Sequence, residues 1–150
     1  MTYLAYQPSQ QNPSGNRLIM SLGIPSDPLE VHLWIVAGIA PEIIIRLVES
    51  VRSDVKTICH IAGISKSTIN RKRKNAIPLT LAQGVRVYSA IQVLDAAISL
   101  HNGDIAMAMS WLHCPAKGLG GKIPMNILTT ASGTQAVIDL IGRIGYGVIS

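Results

Sequence analysis

The sequence predicts an all-α protein, because capping residues, helix breakers and apolar residues at helical spacing recur along most of its length. The 150 residues are 48% hydrophobic and include no Phe, so Leu, Ile, Val and Ala must build the core. Only 14% of the residues are charged, compared with about 25% in average soluble domains. A chain with so few charges is expected to cover apolar surface in an oligomer or against a partner.

Caps and breakers divide the chain into a tail and seven helices. Residues 1–25 are rich in Gln, Asn, Ser, Pro and Gly and are predicted to form a flexible N-terminal tail. The most apolar stretch, 33–47, is expected to form two buried helices. Ser132 and Gln135 have capping-box spacing and are predicted to open the last helix. The helices are predicted at 27–38, 41–52, 54–62, 65–77, 80–101, 104–112 and from 132 onward.

The helix at 80–101 is apolar around most of its circumference, with only a narrow polar stripe. Such a helix must be buried nearly all round. We expect a second subunit to supply part of this cover, so that the segment 79–102 serves dimerisation. The alternative is a central helix covered by its own neighbours in the same chain.

Residues 55–74 have the spacing of a helix-turn-helix motif, which would make 26–78 a DNA-binding region. Ile58, Ile64 and Ile69 are spaced to hold two helices together, and Gly63 permits the left-handed turn between them. A cluster of basic residues follows on the second helix, as expected where a protein contacts nucleic acid. A solvated helix face is the alternative for such a charge run. The cluster consists of Lys66, Arg71, Lys72, Arg73 and Lys74.

The second helix of this motif would lie in the major groove of DNA. Asn70 and Arg71 can read base edges, whereas hydroxyl and Lys side chains suit phosphates. Lys72 and Arg73 stand where such a helix usually carries another apolar anchor, so its end is expected to be looser or free for a phosphate. The predicted DNA-binding residues are Ser65, Lys66, Ser67, Thr68, Asn70, Arg71 and Lys72.

The last third of the chain carries an ordered set of small motifs. They are Trp111-Leu112, Pro115, Leu119-Gly120-Gly121-Lys122-Ile123-Pro124, Leu128, Thr130, Gly133, Leu140-Ile141-Gly142-Arg143-Ile144 and Tyr146-Gly147-Val148. This combination resembles the C-terminal toxin-binding domain of the Xre/MbcA/ParS antitoxins, the partners of RES-domain toxins. The run Gly63–Arg71 also resembles the Xre-type helix-turn-helix of that family.

The resemblance implies a type II antitoxin that binds a RES-domain toxin, an NAD-depleting enzyme, and obstructs the route to its active site. It further implies a homodimer, a higher-order toxin–antitoxin complex and repression of the antitoxin's own operon through operator DNA. Residues 103–150 would be the toxin-binding domain. The toxin contacts that the motif implies are Lys122, Arg143, Tyr146, Gly147 and Val148. A free-standing dimeric helix-turn-helix regulator without a toxin is the alternative.

The sequence offers little for catalysis, metals or membranes. Its four histidines are scattered, and no paired carboxylates or nucleophile–base arrangement share a face. Gly118 to Lys122 lacks the Ser or Thr that a phosphate loop requires after its Lys. Cys59 and Cys114 are too few for a zinc site or a disulfide framework. We therefore predict no catalytic residue, no metal, no cofactor and no membrane segment, and expect a cytoplasmic location.

Overall fold

A computed structural model describes residues 17–145 and Gly147, and every regular element in that part of the chain is helical. The predicted all-α class is confirmed. Two 3₁₀ turns, Lys117–Leu119 and Pro124–Ile127, lie between the last two α-helices. The predicted tail at 1–16 lies outside the described residues. The α-helices are α1 (Arg17–Ser21), α2 (Pro28–Ala37), α3 (Glu42–Val51), α4 (Val55–Ala62), α5 (Lys66–Lys74), α6 (Leu81–Leu100), α7 (Ile105–Leu112) and α8 (Ala131–Gly145).

Five helices begin where the sequence places a capping side chain, which confirms their predicted starts. Each cap accepts a hydrogen bond from a backbone N–H of the first turn, and so satisfies a donor that the helix leaves unpaired. The caps are Asp27, Asp54, Ser65, Thr80 and Asp104.

The predicted start of the last helix at Ser132 is wrong. The helix begins at Ala131, and the hydroxyl of Thr130 accepts from Gly133 N at 2.9 Å. Gln135 instead donates along the helix to Asp139 at 2.8 Å. Thr130 precedes the first helical residue directly, so its side chain reaches the N–H of Gly133 three residues on and takes the capping role that was expected of Ser132.

Helix α6 is the centre of the fold, in contact with α1, α2, α4, α7 and α8. Neighbours from the same chain cover most of its length, as in the alternative of a central helix, and the expected share of a second subunit in the remaining cover stays a prediction. Only its first two turns expose large apolar side chains, Leu81 at 60% and Val85 at 48%. The residues of α6 with no exposed surface are Val87, Ala90, Ile91, Val93, Leu94 and Ala97.

The segment 17–24 is ordered against α6, which corrects the prediction of a flexible tail that reaches residue 25. Leu18, Ile19, Leu22 and Ile24 are buried in the core. In addition, the backbone N–H of Leu18 donates to the buried carboxylate of Asp95 on α6 at 3.0 Å. The acid accepts a hydrogen bond at the N-terminal end of α1, where a helix carries partial positive charge.

The two helices of the stretch 33–47 differ in burial. The prediction holds for α3, in which Ile44 and Leu47 have no exposed surface. It is wrong for one face of α2, where Leu29, Leu33 and Val36 remain 64%, 56% and 57% exposed. Their spacing of four and three residues places them on one side of the helix.

Within the described residues, no helix is long and apolar enough to cross a bilayer.

Candidate functional sites

Helices α4 and α5 form the helix-turn-helix that the spacing predicts. Gly63 ends α4 in a left-handed conformation with φ of 72°. Ile64 N then donates back to Cys59 O at 3.1 Å. This backbone turn is one that glycine adopts without strain. Ile58, Ile64 and Ile69 are all buried, so the two helices are fixed to each other by apolar contact.

Arg86 of α6 joins this motif to the centre of the fold. Its Nε donates to Ile61 O near the end of α4 at 3.1 Å. Burial lowers the pKa of its guanidinium. The side chain also lies over Gly63, where an added Cβ would be 3.2 Å from Cζ. The cation thereby satisfies a carbonyl at the negative end of α4 and positions the motif on α6.

The first turn of α5 holds three hydroxyl side chains in one cluster. Ser65 Oγ accepts from Thr68 N at 3.2 Å and donates to Thr68 Oγ1 at 2.8 Å. Ser67 Oγ lies 3.2 Å from Ser65 Oγ. Ser65 therefore caps the N-terminus of α5, the helix that the sequence predicts to enter the major groove of DNA.

The outward face of α5 is formed by Ser67, Asn70, Arg71 and Lys74, all of them exposed. Positions separated by three, four and seven residues lie on one side of a helix, so these four side chains can meet one groove together. Lys66 is also exposed, on the flank of this face. The sequence prediction of DNA-binding residues omits Lys74. Its distance of seven residues from Ser67 would have placed it on the same side of the helix.

Lys72 does not belong to this face, which corrects its prediction as a phosphate contact and the expectation of a loose helix end. It is only 5% exposed, and its Nζ donates to Pro78 O at 3.1 Å. Lys72 follows buried Ile69 by three residues and so shares its inward side. Its alkyl chain takes the place of an apolar anchor while the ammonium ties down the segment after α5. Arg73 is turned toward Glu42, with Nε 3.8 Å from Oε2.

The C-terminal domain consists of α7, the two 3₁₀ turns and α8; the two helices pack on α6, and the turns pack on these two helices. Ala116 N donates to Lys122 O at 3.0 Å and closes the loop around the first turn. Two glycines with positive φ, Gly120 at 66° and Gly121 at 83°, complete this loop. Helix α8 lies so close to the second turn that a Cβ on Gly133 would overlap the carbonyl oxygen of Ile127.

The structure describes three of the five residues that were predicted to contact a toxin. Lys122 is exposed on the loop between the 3₁₀ turns, and Arg143 is exposed on the last turn of α8. Gly147 has φ of 81° and donates to Ile144 O at 3.0 Å. Tyr146 and Val148 lie outside the described residues. The joint use of Lys122 and Arg143 in one interface stays a prediction.

His101, at the end of α6, and His113, at the end of α7, each have one ring nitrogen hydrogen-bonded to the backbone. Nδ1 of His101 is 2.8 Å from Ala97 O, and Nδ1 of His113 is 2.7 Å from Met109 O. Across the part of the chain that the structure describes, no three His, Cys, Asp or Glu side chains form a group that could hold a metal ion.

Comparison with known proteins connects this architecture to antitoxins. A model of the Xre/MbcA/ParS antitoxin C-terminal toxin-binding domain matches residues 89–147. That match begins inside α6 and includes the whole C-terminal domain. The long helix is therefore shared between the helix-turn-helix half and the matched region.

Three curated relatives, each named antitoxin Xre, are similar to the chain. Those of Yersinia enterocolitica and Photorhabdus laumondii are each 37% identical over 93 residues, which cover 62% of this chain and 63% of either relative. The relative from Pseudomonas putida is 28% identical over 136 residues, or 88% of this chain and 84% of that protein. The chain thus spans somewhat less than two thirds of the first two relatives. Residues 89–147 therefore belong to the family of Xre/MbcA/ParS C-terminal toxin-binding domains, and the chain is similar to proteins named antitoxin Xre.

Proposed function

We propose that the protein is a non-enzymatic type II antitoxin that binds and neutralises a cognate RES-domain toxin, an NAD-depleting enzyme, by blocking access to its active site. The observation that carries this proposal is the match of residues 89–147 to a toxin-binding domain. The exposed cations Lys122 and Arg143 support it, because side chains of this type can pair with carboxylate or phosphate groups on a partner.

The same protein is proposed to repress its own operon in the cytoplasm. The outward face of α5 supports this role, because Asn70 and Arg71 can contact base edges and Lys74 a phosphate. The operator-bound form is proposed to be a homodimer, and higher-order complexes with the toxin are expected. Since the middle of α6 is covered within the chain, we place the dimer contact at the exposed apolar face of α2, formed by Leu29, Leu33 and Val36.

Co-expression tests the antitoxin proposal. The full chain is expected to restore growth to cells that make the RES toxin encoded beside it. A variant without residues 143–150 should lose this rescue, because it lacks Arg143 and the residues after it. That variant keeps Leu140 and Ile141, the last buried residues of α8, and is therefore expected to fold and to bind operator DNA. Failure of the full chain to rescue growth, together with retained operator binding, would leave the free-standing regulator as the function.

The salt dependence of operator binding tests the assignment of the α5 surface. Lys74→Gln should make the slope of log K against log salt concentration shallower by about 0.9, the amount expected for one lost phosphate contact. Lys72→Met is the matched control, because it removes a buried ammonium and keeps the alkyl packing. Its slope should equal that of the unaltered protein. A change in slope for Lys72→Met and none for Lys74→Gln would contradict the assignment.

A further inference from the structure

Three neighbouring cavities form a continuous groove along the outer side of α4. The first, of about 630 Å³, includes Ser65 and Lys66 at the start of α5. The second, of about 340 Å³, shares Lys56 and His60 with the first. The third, of about 500 Å³, shares Thr57 and His113 with the second. The groove thus leads from the first turn of the recognition helix to the C-terminal domain.

Five of the side chains that line this groove are basic and one, Asp104, is acidic. Asp104 accepts a hydrogen bond from Met107 N at the start of α7, and Asp54, which lies next to the groove, accepts from Thr57 N at the start of α4. Those hydrogen bonds use part of the acceptor capacity of the carboxylates. The basic groups are Arg52, Lys56, His60, Lys66 and His113.

The C-terminal domain contributes one wall of the groove. Nδ1 of His113 donates to the carbonyl oxygen of Met109 at 2.7 Å, so Nε2 is the ring nitrogen left for a ligand, and it can donate to a phosphate oxygen only when the ring carries a second proton. Asn126 lines the same cavity, is exposed, and has an amide that can donate to an anion. A ligand in this groove would therefore contact both halves of the protein.

We propose that this groove binds the DNA phosphate backbone beside the major groove that α5 enters, so that the C-terminal domain takes part in operator binding. The inference rests on the proposed DNA-binding function. DNA is favoured over an acidic surface of the toxin because the groove is continuous with Ser65 and Lys66. A line of separate cations is also the arrangement that follows a phosphodiester chain.

The test is a salt titration of operator binding with variants that add or remove one charge in the groove. Asn126→Lys is expected to steepen the slope of log K against log salt concentration by about 0.9, so the affinity ratio between 50 and 200 mM salt rises about 3.5-fold. Lys56→Gln should lower the same ratio about 3.5-fold. Ser132→Lys and Lys117→Gln are matched controls at exposed positions of the C-terminal domain that do not border the groove, and each should leave the slope unchanged.

The other outcomes separate this inference from the function on which it rests. If Lys74→Gln alters the slope and the two groove variants do not, DNA binding stands and the groove assignment is overturned. If the groove variants change toxin affinity and leave the operator slope unaltered, the groove binds the toxin and the assignment is likewise wrong. If the unaltered protein binds no operator at 50 mM salt, both fail.

Discussion

Gly133→Ala is expected to reduce the free energy of unfolding by about 3 kcal/mol, near the upper end for an overpacked site. A Cβ at this position would overlap the backbone carbonyl oxygen of Ile127 in the second 3₁₀ turn. A side chain could rotate away, but a carbonyl can move only with its whole turn. Because Met125 and Leu128 of that segment are buried in the core, the displacement should spread through the C-terminal domain and abolish toxin binding.

Gly142→Ala in the same helix is the matched control. A Cβ at Gly142 would have no neighbour within 4 Å. Replacing a glycine in a helix interior by alanine should then stabilise the protein by roughly 0.5–1 kcal/mol. Urea unfolding followed by circular dichroism measures both changes. Equal stabilities for the two variants would show that α8 does not lie as close to the Ile127 carbonyl as described.

The elements that the sequence predicts correctly are those with local causes. Asp27, Asp54, Ser65, Thr80 and Asp104 each cap a helix through atoms two or three residues away, so each start is visible in a short stretch of sequence. The helix-turn-helix is predicted for the same reason. Its turn depends on Gly63 and its apolar contacts on a fixed spacing.

The features that the sequence misses depend on distant contacts. The burial of α1 depends on Asp95, 77 residues beyond Leu18, and five helical residues are too few to show a period. An argument from composition treats Lys72 as a surface charge. In the structure its ammonium group donates a hydrogen bond to Pro78 O in the following loop. The role of Arg86 likewise requires the carbonyl of Ile61, which is 25 residues away.

The candidate functional residues also fall into those that the sequence predicts and those that only the folded structure brings together. Three of the four residues on the outward face of α5 are predicted from the sequence, because helical spacing alone brings Ser67, Asn70 and Arg71 to one side of the helix. The toxin contacts come from resemblance to a family, and the structure adds that Lys122 and Arg143 are exposed. The groove along α4 was not predicted, since it joins Lys56 to His113 through the packing of two halves of the chain.

Gly63→Ala is expected to destabilise the protein by about 2–5 kcal/mol and to weaken operator binding. Part of this loss is the cost of a left-handed conformation for a residue with a Cβ, about 1–2 kcal/mol. The rest arises because the new methyl group would press on Arg86 and disturb its hydrogen bond to Ile61 O. An unpaired carbonyl that is kept from water costs about 1–3 kcal/mol.

Gly120→Ala separates these two contributions. Gly120 has a similar φ of 66°, but a Cβ there would have no neighbour within 4 Å. It should therefore show only the backbone cost of about 1–2 kcal/mol. Operator binding should be unaffected, because Gly120 lies neither on the outward face of α5 nor in the lining of the groove along α4.

A double-mutant cycle with Arg86→Ala completes the argument. If the clash with Arg86 causes the additional loss, Gly63→Ala in the Arg86→Ala background should cost no more than Gly120→Ala, so that the two changes are not additive. Additive losses, measured by urea unfolding, would show that Arg86 does not resist the methyl group. Because α8 also packs on α6, the contact of Arg86 with Ile61 connects the helix-turn-helix to the same helix on which the C-terminal domain packs.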